Sequence, residues 1–98
     1  MIRSELIMRI AIRKKNLTIR TVEQSVNLLL EMIADALTKG DRVEIRRFGS
    51  MTLNYRPPKK WRSPITGKEF EVPAKYIPHF IPAKEMRERV NSANPNQS

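Results

Sequence analysis

Two periodicities divide the chain. After Ser4, a favourable N-cap, apolar residues recur at helical spacing: Leu6, Ile7, Ile10 and Ala11 share a face while Arg9 and Arg13 point elsewhere, which predicts a helix ending near Lys15-Asn16. A second helix follows, with Thr18 or Thr21 as its cap and Thr21 and Gln24 at capping-box spacing. It runs to Lys39, where Gly40 supplies a stop. Its apolar positions (Val22, Val26, Leu28, Leu29, Leu30, Met32, Ile33, Ala34, Ala36 and Leu37) form a band wider than one short helix can cover. That width implies a helical dimer interface; the alternative is that a following sheet buries the band within one chain.

Past Gly40 the period becomes two. Val43 and Ile45 alternate with Arg42, Glu44 and Arg46, and after an Arg47-Phe48-Gly49-Ser50 turn Met51, Leu53 and Tyr55 alternate with Thr52, Asn54 and Arg56. Two antiparallel strands are expected. Tyr76-Ile77-Pro78-His79-Phe80-Ile81 adds a third, which Pro78 restricts to a sheet edge or a break, with His79 a packed sheet residue rather than a catalyst or ligand. Pro82 precedes a short helix with Lys84, Met86, Arg87 and Val90, and the polar residues from Asn91 read as a frayed tail. The fold class is α+β, one domain over residues 1–91 with a flexible tail at 92–98.

Residues 56–75 break the pattern. Strand-like flanks surround a Pro and Gly turn between Pro64 and Gly67, which predicts a hairpin arm. Ordering roughly twenty backbones costs far more than burial of Trp61, Ile65, Phe70 and Val72 returns, so the arm is expected to stay mobile until a partner docks.

Charge says what that partner is. The 98 residues carry 19 Lys and Arg against 10 Asp and Glu, a net +9. Six basic residues and one acidic lie in residues 1–20, and six and two lie in residues 55–76. Clustered positive charge points to a polyanion, and a cationic two-stranded ribbon suits a groove of duplex DNA. RNA is the second candidate. A membrane surface is disfavoured, because residues 21–40 hold one basic and three acidic residues. With no cysteine, one histidine and scattered acids, a hydrolytic or metal centre is not expected, nor is a cofactor. The first residues lack a signal-peptide apolar stretch, so an intracellular protein is expected.

At this point several segments resemble one family. Ser4-Glu5-Leu6-Ile7, Gly40-Asp41-Arg42-Val43-Glu44-Ile45-Arg46, Phe48-Gly49-Ser50, Arg62-Ser63-Pro64 with Thr66-Gly67, and Lys75-Tyr76-Ile77-Pro78-His79-Phe80 are similar to the bacterial HU and integration host factor DNA-bending proteins over residues 1–91. The resemblance implies an intertwined dimer with an N-terminal helical pair, a three-stranded antiparallel sheet, a long β-hairpin arm and a short C-terminal helix. Two arms would wrap double-stranded DNA through the minor groove, each inserting Pro64 as an apolar wedge. Lys59, Lys60, Arg62, Lys68 and Lys75 would neutralise phosphates or follow the groove, with Arg56 at the arm's root and Arg42 on the polar strand face. Helix starts near Ser4, Thr18 and Lys84 would meet flanking phosphates. Glu44 would brace Arg46 for sequence preference, against the plain alternative of a solvent-facing pair. The implied partner chain is a related alpha subunit or a second copy, and the implied location the nucleoid of the bacterial cytoplasm. Arg47 and Trp61 stand where the family usually has Gly, Ser63 where it has Asn, and Met51 where Phe is common. Arg47 would add a phosphate contact.

Overall fold

Backbone hydrogen bonding turns the two periods into eight elements. A computed structural model describes residues 1–94 and gives α1 (Arg3–Arg13), α2 (Ile19–Thr38), β1 (Val43–Ile45), β2 (Gly49–Arg56), β3 (Lys59–Arg62), β4 (Glu69–Val72), β5 (Lys75–Pro82) and α3 (Lys84–Ala93). The fold class is α+β, as the sequence pattern implies. The chain clusters into two units, dividing between Ala36 and Leu37.

In the first unit α1 starts two residues earlier than the capping rule suggests. Ile2, not Ser4, occupies the N-cap, without a side-chain cap bond, and Ser4 lies within the first turn. The early start puts Arg3 on the helix, where its Nη1 donates to Asn27 Oδ1 of α2 at 3.2 Å. Thr18 caps α2: its Oγ1 accepts the Thr21 N–H at 3.1 Å and donates to Thr21 Oγ1 at 2.9 Å. The reciprocal bond of a capping box is thus replaced by two threonine hydroxyls, and the cap is Thr18 rather than a Thr21–Gln24 pair. Gly40, at φ 85, closes the helix with its N–H on the Leu37 carbonyl at 3.0 Å. Ile7, Val22 and Val26 are buried between the two helices, flanked by Leu6, Ile10 and Ala11. Leu28, Leu29, Leu30 and Met32 remain exposed.

The second unit is built on the sheet β1-β2-β5, antiparallel throughout, with β5 at an edge as Pro78 requires. Strand β2 begins at Gly49, two residues before the expected start, because Gly49 already pairs with both Ile45 and Pro82. The turn is therefore Arg46–Phe48, closed by the Phe48 N–H on the Ile45 carbonyl at 3.0 Å, with Arg47 at φ 70. His79 pairs with Thr52 but is exposed rather than packed. Helix α3 continues through Asn91 to Ala93, where a frayed tail was expected; Asn94 Nδ2 donates to the Val90 carbonyl at 2.9 Å and satisfies the last turn. The remainder of the expected tail, residues 95–98, lies outside the described residues.

Strands β3 and β4 form a separate two-stranded ribbon. The β2–β5 ladder ends at Arg56 opposite Lys75 and the β3–β4 ladder begins at Lys59 opposite Val72, so the register crosses the gap without slipping. Pro57, Pro58 and Pro73 occupy that gap, and each lacks an N–H for the ladder.

Candidate nucleic-acid interface

The register of the ribbon sorts its side chains. Directly opposed residues share a face, so Lys59, Val72, Trp61 and Phe70 lie on one side, and Lys60, Glu71, Arg62 and Glu69 on the other. The first side is amphipathic. Trp61 and Phe70 pack with ring centroids 4.9 Å apart, so the indole rests on its own hairpin, and both rings stay about half exposed. Near the root, Tyr55 and Tyr76 repeat the arrangement at 5.1 Å. The second side places each base opposite an acid. Arg62 Nη2 stands 3.6 Å from Glu69 Oε1, and Lys60 faces Glu71 across the ladder. These groups are solvated, so the pairing is weak and exchangeable.

Three further basic residues frame the arm. Arg56 and Lys75 face each other at its root, like charge against like, and Lys68 follows the tip. The tip itself is tied by backbone bonds: the Ser63 N–H reaches the Lys68 carbonyl at 3.0 Å and the Gly67 N–H the Ser63 carbonyl at 2.9 Å. Gly67, at φ 72, supplies the left-handed residue the turn needs. Pro64 is exposed at the end of this loop.

A second cluster forms at the β1–β2 turn. Glu44, Arg46, Arg47, Ser50 and Ala83 line one recess, and the Ala83 N–H bonds the Phe48 carbonyl at 3.0 Å, which brings the start of α3 to the turn. Lys84 opens α3 and stands 3.9 Å from Glu88. Glu44 does not pair with Arg46. Its Oε1 accepts instead from Arg42 Nη2 at 2.9 Å, because Arg42 and Glu44 project to the same side of an extended strand while Arg46 has entered the turn. Ser4 belongs to the first unit, where it lines a shallow recess with Arg3, Ile7 and Asn27.

The arm and the turn therefore gather eleven of the expected site residues other than Ser4 and Lys84 (Arg42, Glu44, Arg46 and Arg47 at the turn; Arg56, Lys59, Lys60, Arg62, Pro64, Lys68 and Lys75 on the arm). Glu69 and Glu71 were not among the expected residues. Their signal was present in the sequence, but it needs the pairing register as well as the charge count. Among the described residues no helix is long and apolar enough to cross a membrane, and no cluster of His, Asp and Glu is placed to hold a metal ion.

Comparison with known proteins agrees with this geometry. Residues 1–91 match the family model described as bacterial DNA-binding protein. The chain is 49% identical over 94 residues to integration host factor subunit beta from Shewanella pealeana, covering 96% of this chain and 99% of that one. It is 50% identical over 91 residues to the Colwellia psychrerythraea subunit beta, covering 93% and 96%. Among solved structures, HU from Anabaena in a cocrystal with DNA superposes with a TM-score of 0.80 at 32% identity, covering 92% of this chain and 97% of that one. By the match along residues 1–91 and half-identity to beta subunits over nearly their whole length, the chain belongs to the HU and integration host factor family of bacterial DNA-binding proteins, which are architectural proteins and not enzymes.

Proposed function

We propose that the protein acts as a dimer that bends duplex DNA, laying two arms along the minor groove and separating a base step with Pro64 at each tip. The observation that carries this reading is the arm: a cationic ribbon that ends in an exposed proline on a hydrogen-bonded loop. Proline is apolar and has no side-chain rotamers to freeze, so it can occupy an opened step at little entropic cost. Arg56, Lys59, Lys68 and Lys75 are the phosphate-neutralising residues of the arm, and Lys60 and Arg62 join them by exchanging Glu71 and Glu69 for phosphate. Arg46, Arg47 and the start of α3 would meet the flanking backbone. The site of action is the bacterial nucleoid, in recombination, replication and transcription regulation.

Fluorescence transfer across a short end-labelled duplex tests the reading. Transfer should rise on binding, and Pro64→Ala should reduce the bend more than the affinity; a rigid, unbent complex would overturn it. Duplex RNA, with its wide and shallow minor groove, should compete poorly. Intact mass of the complex purified from its native cell distinguishes an alpha-subunit heterodimer from a homodimer.

The Arg42–Glu44 pair favours a second reading, in which binding is sequence-independent as in HU, because Glu44 braces Arg42 and leaves Arg46 unbraced. Under sequence-specific readout Arg46→Ala relaxes discrimination between sites. Under the second reading it weakens all duplexes equally.

A further inference from the structure

Ile65 is 93% exposed, more than any other large hydrophobic side chain among the described residues. It sits beside Pro64 in the middle of the tip, a position where turns ordinarily carry polar residues or glycine. The loop is tied from within: Ser63 Oγ accepts the N–H groups of Ile65 and Thr66, each at 3.3 Å, and the Lys68 N–H reaches Thr66 Oγ1 at 3.4 Å. Backbone and hydroxyls thus satisfy one another on the inside, and the side chains of Pro64 and Ile65 are left outside with no apolar neighbour to shelter Ile65. Trp61 and Phe70, by contrast, cover each other.

An apolar pair flanked by Arg62 and Lys68 calls for an occupant that is apolar at its centre and anionic at its rim. A base step opened between two phosphate backbones has that composition, and isoleucine is among the side chains able to fill one. We propose that Ile65 is a second wedge residue, entering the opened step with Pro64 and covering the faces of the separated bases. The proposal rests on the reading of the arm as a minor-groove ribbon. Proline holds the entry geometry, and Ile65 contributes most of the apolar area, since its branched side chain is larger and wholly available.

The test uses the dimer in its native composition and the end-labelled duplex, with Pro64→Ala, Ile65→Ala, Ile65→Leu and the double alanine variant. Ile65 contributes no packing to the folded chain, so the Ile65 substitutions leave the fold intact. Ile65→Ala should lower the transfer change and weaken binding about tenfold, while Ile65→Leu should behave as the parent. On a duplex with an unpaired base at the kink, where the step is already open, most of the Ile65→Ala loss should disappear. If Pro64→Ala loses the bend and Ile65→Ala keeps it, the second wedge is overturned and the arm reading stands. If neither changes the bend, both fall. If only Ile65→Ala changes it, Ile65 is the wedge and the role of Pro64 falls. Loss of binding to phosphatidylglycerol vesicles by Ile65→Ala, with bending unchanged, would assign the tip to a lipid surface and overturn the proposal.

Discussion

Arg47 and Gly49 sit two residues apart and are held by opposite constraints. Arg47 takes φ 70 at the second central position of a tight turn, a conformation that costs a residue with a Cβ about 1 kcal/mol or more. Arg47→Gly should therefore raise the unfolding free energy by about 1 kcal/mol in urea titration while removing one cation from the turn. Gly49 has no such torsion, but a Cβ there would stand 2.6 Å from the Ile81 carbonyl oxygen and 2.6 Å from Phe80 Cε1. Gly49→Ala should cost about 1–3 kcal/mol, read in the same titration, because backbone on one side cannot yield. Both positions were legible in the sequence only in part. A Phe-Gly turn after alternating residues identifies the hairpin, but which residue turns left-handed depends on the pairing that fixes the loop length. Ser4 shows the same limit at a helix start: cap preference ranks candidates, yet the helix begins at Arg3 after Ile2, with no side-chain cap bond.

The long helix and the first two sheet strands followed from periodicity, since twenty residues of helical spacing and two runs of alternation leave little room for another assignment, and the third strand followed from its apolar run. The arm is different. Its net charge over residues 55–76 was readable, but its distribution was not, because whether Glu69 and Glu71 oppose bases depends on cross-strand register. With the register known, Lys60, Arg62, Glu69 and Glu71 form a face of no net charge. Glu69→Gln should raise affinity for DNA at low salt, because Arg62 no longer gives up a partner on binding, and should leave the logarithmic salt dependence unchanged, since the phosphate that Arg62 neutralises is already counted in the parent complex. Binding isotherms at several salt concentrations would measure both; a slope steeper by about 0.9 per arm would mean that Arg62 stays on Glu69 in the parent complex. Trp61 offers a direct reporter, since its emission should shift when the ribbon's aromatic face meets DNA.

At the scale of the whole molecule, the buried hydrophobic residues among those described are Ile7, Val22 and Val26, all in the first unit. In the second unit Phe48 and Phe80 pack at 5.4 Å yet both stay partly exposed. So little sheltered surface does not hold a chain of this length together, which is why the apolar band of α2 implies a partner. Leu29 is 59% exposed in the single chain, so Leu29→Glu should be nearly neutral for a monomer and should cost several kcal/mol in a dimer. Sedimentation and the concentration dependence of Tm separate the two outcomes. The proline gap between sheet and arm bears on the same assembly. A ladder interrupted without a slip should act as a pivot, letting the ribbon swing while its strands stay in step, so that docking would choose an angle without re-pairing residues. DNA sites that differ in groove width could then be met by rotating a finished part, and amide exchange should show protection falling at the pivot and rising again in the strands beyond it.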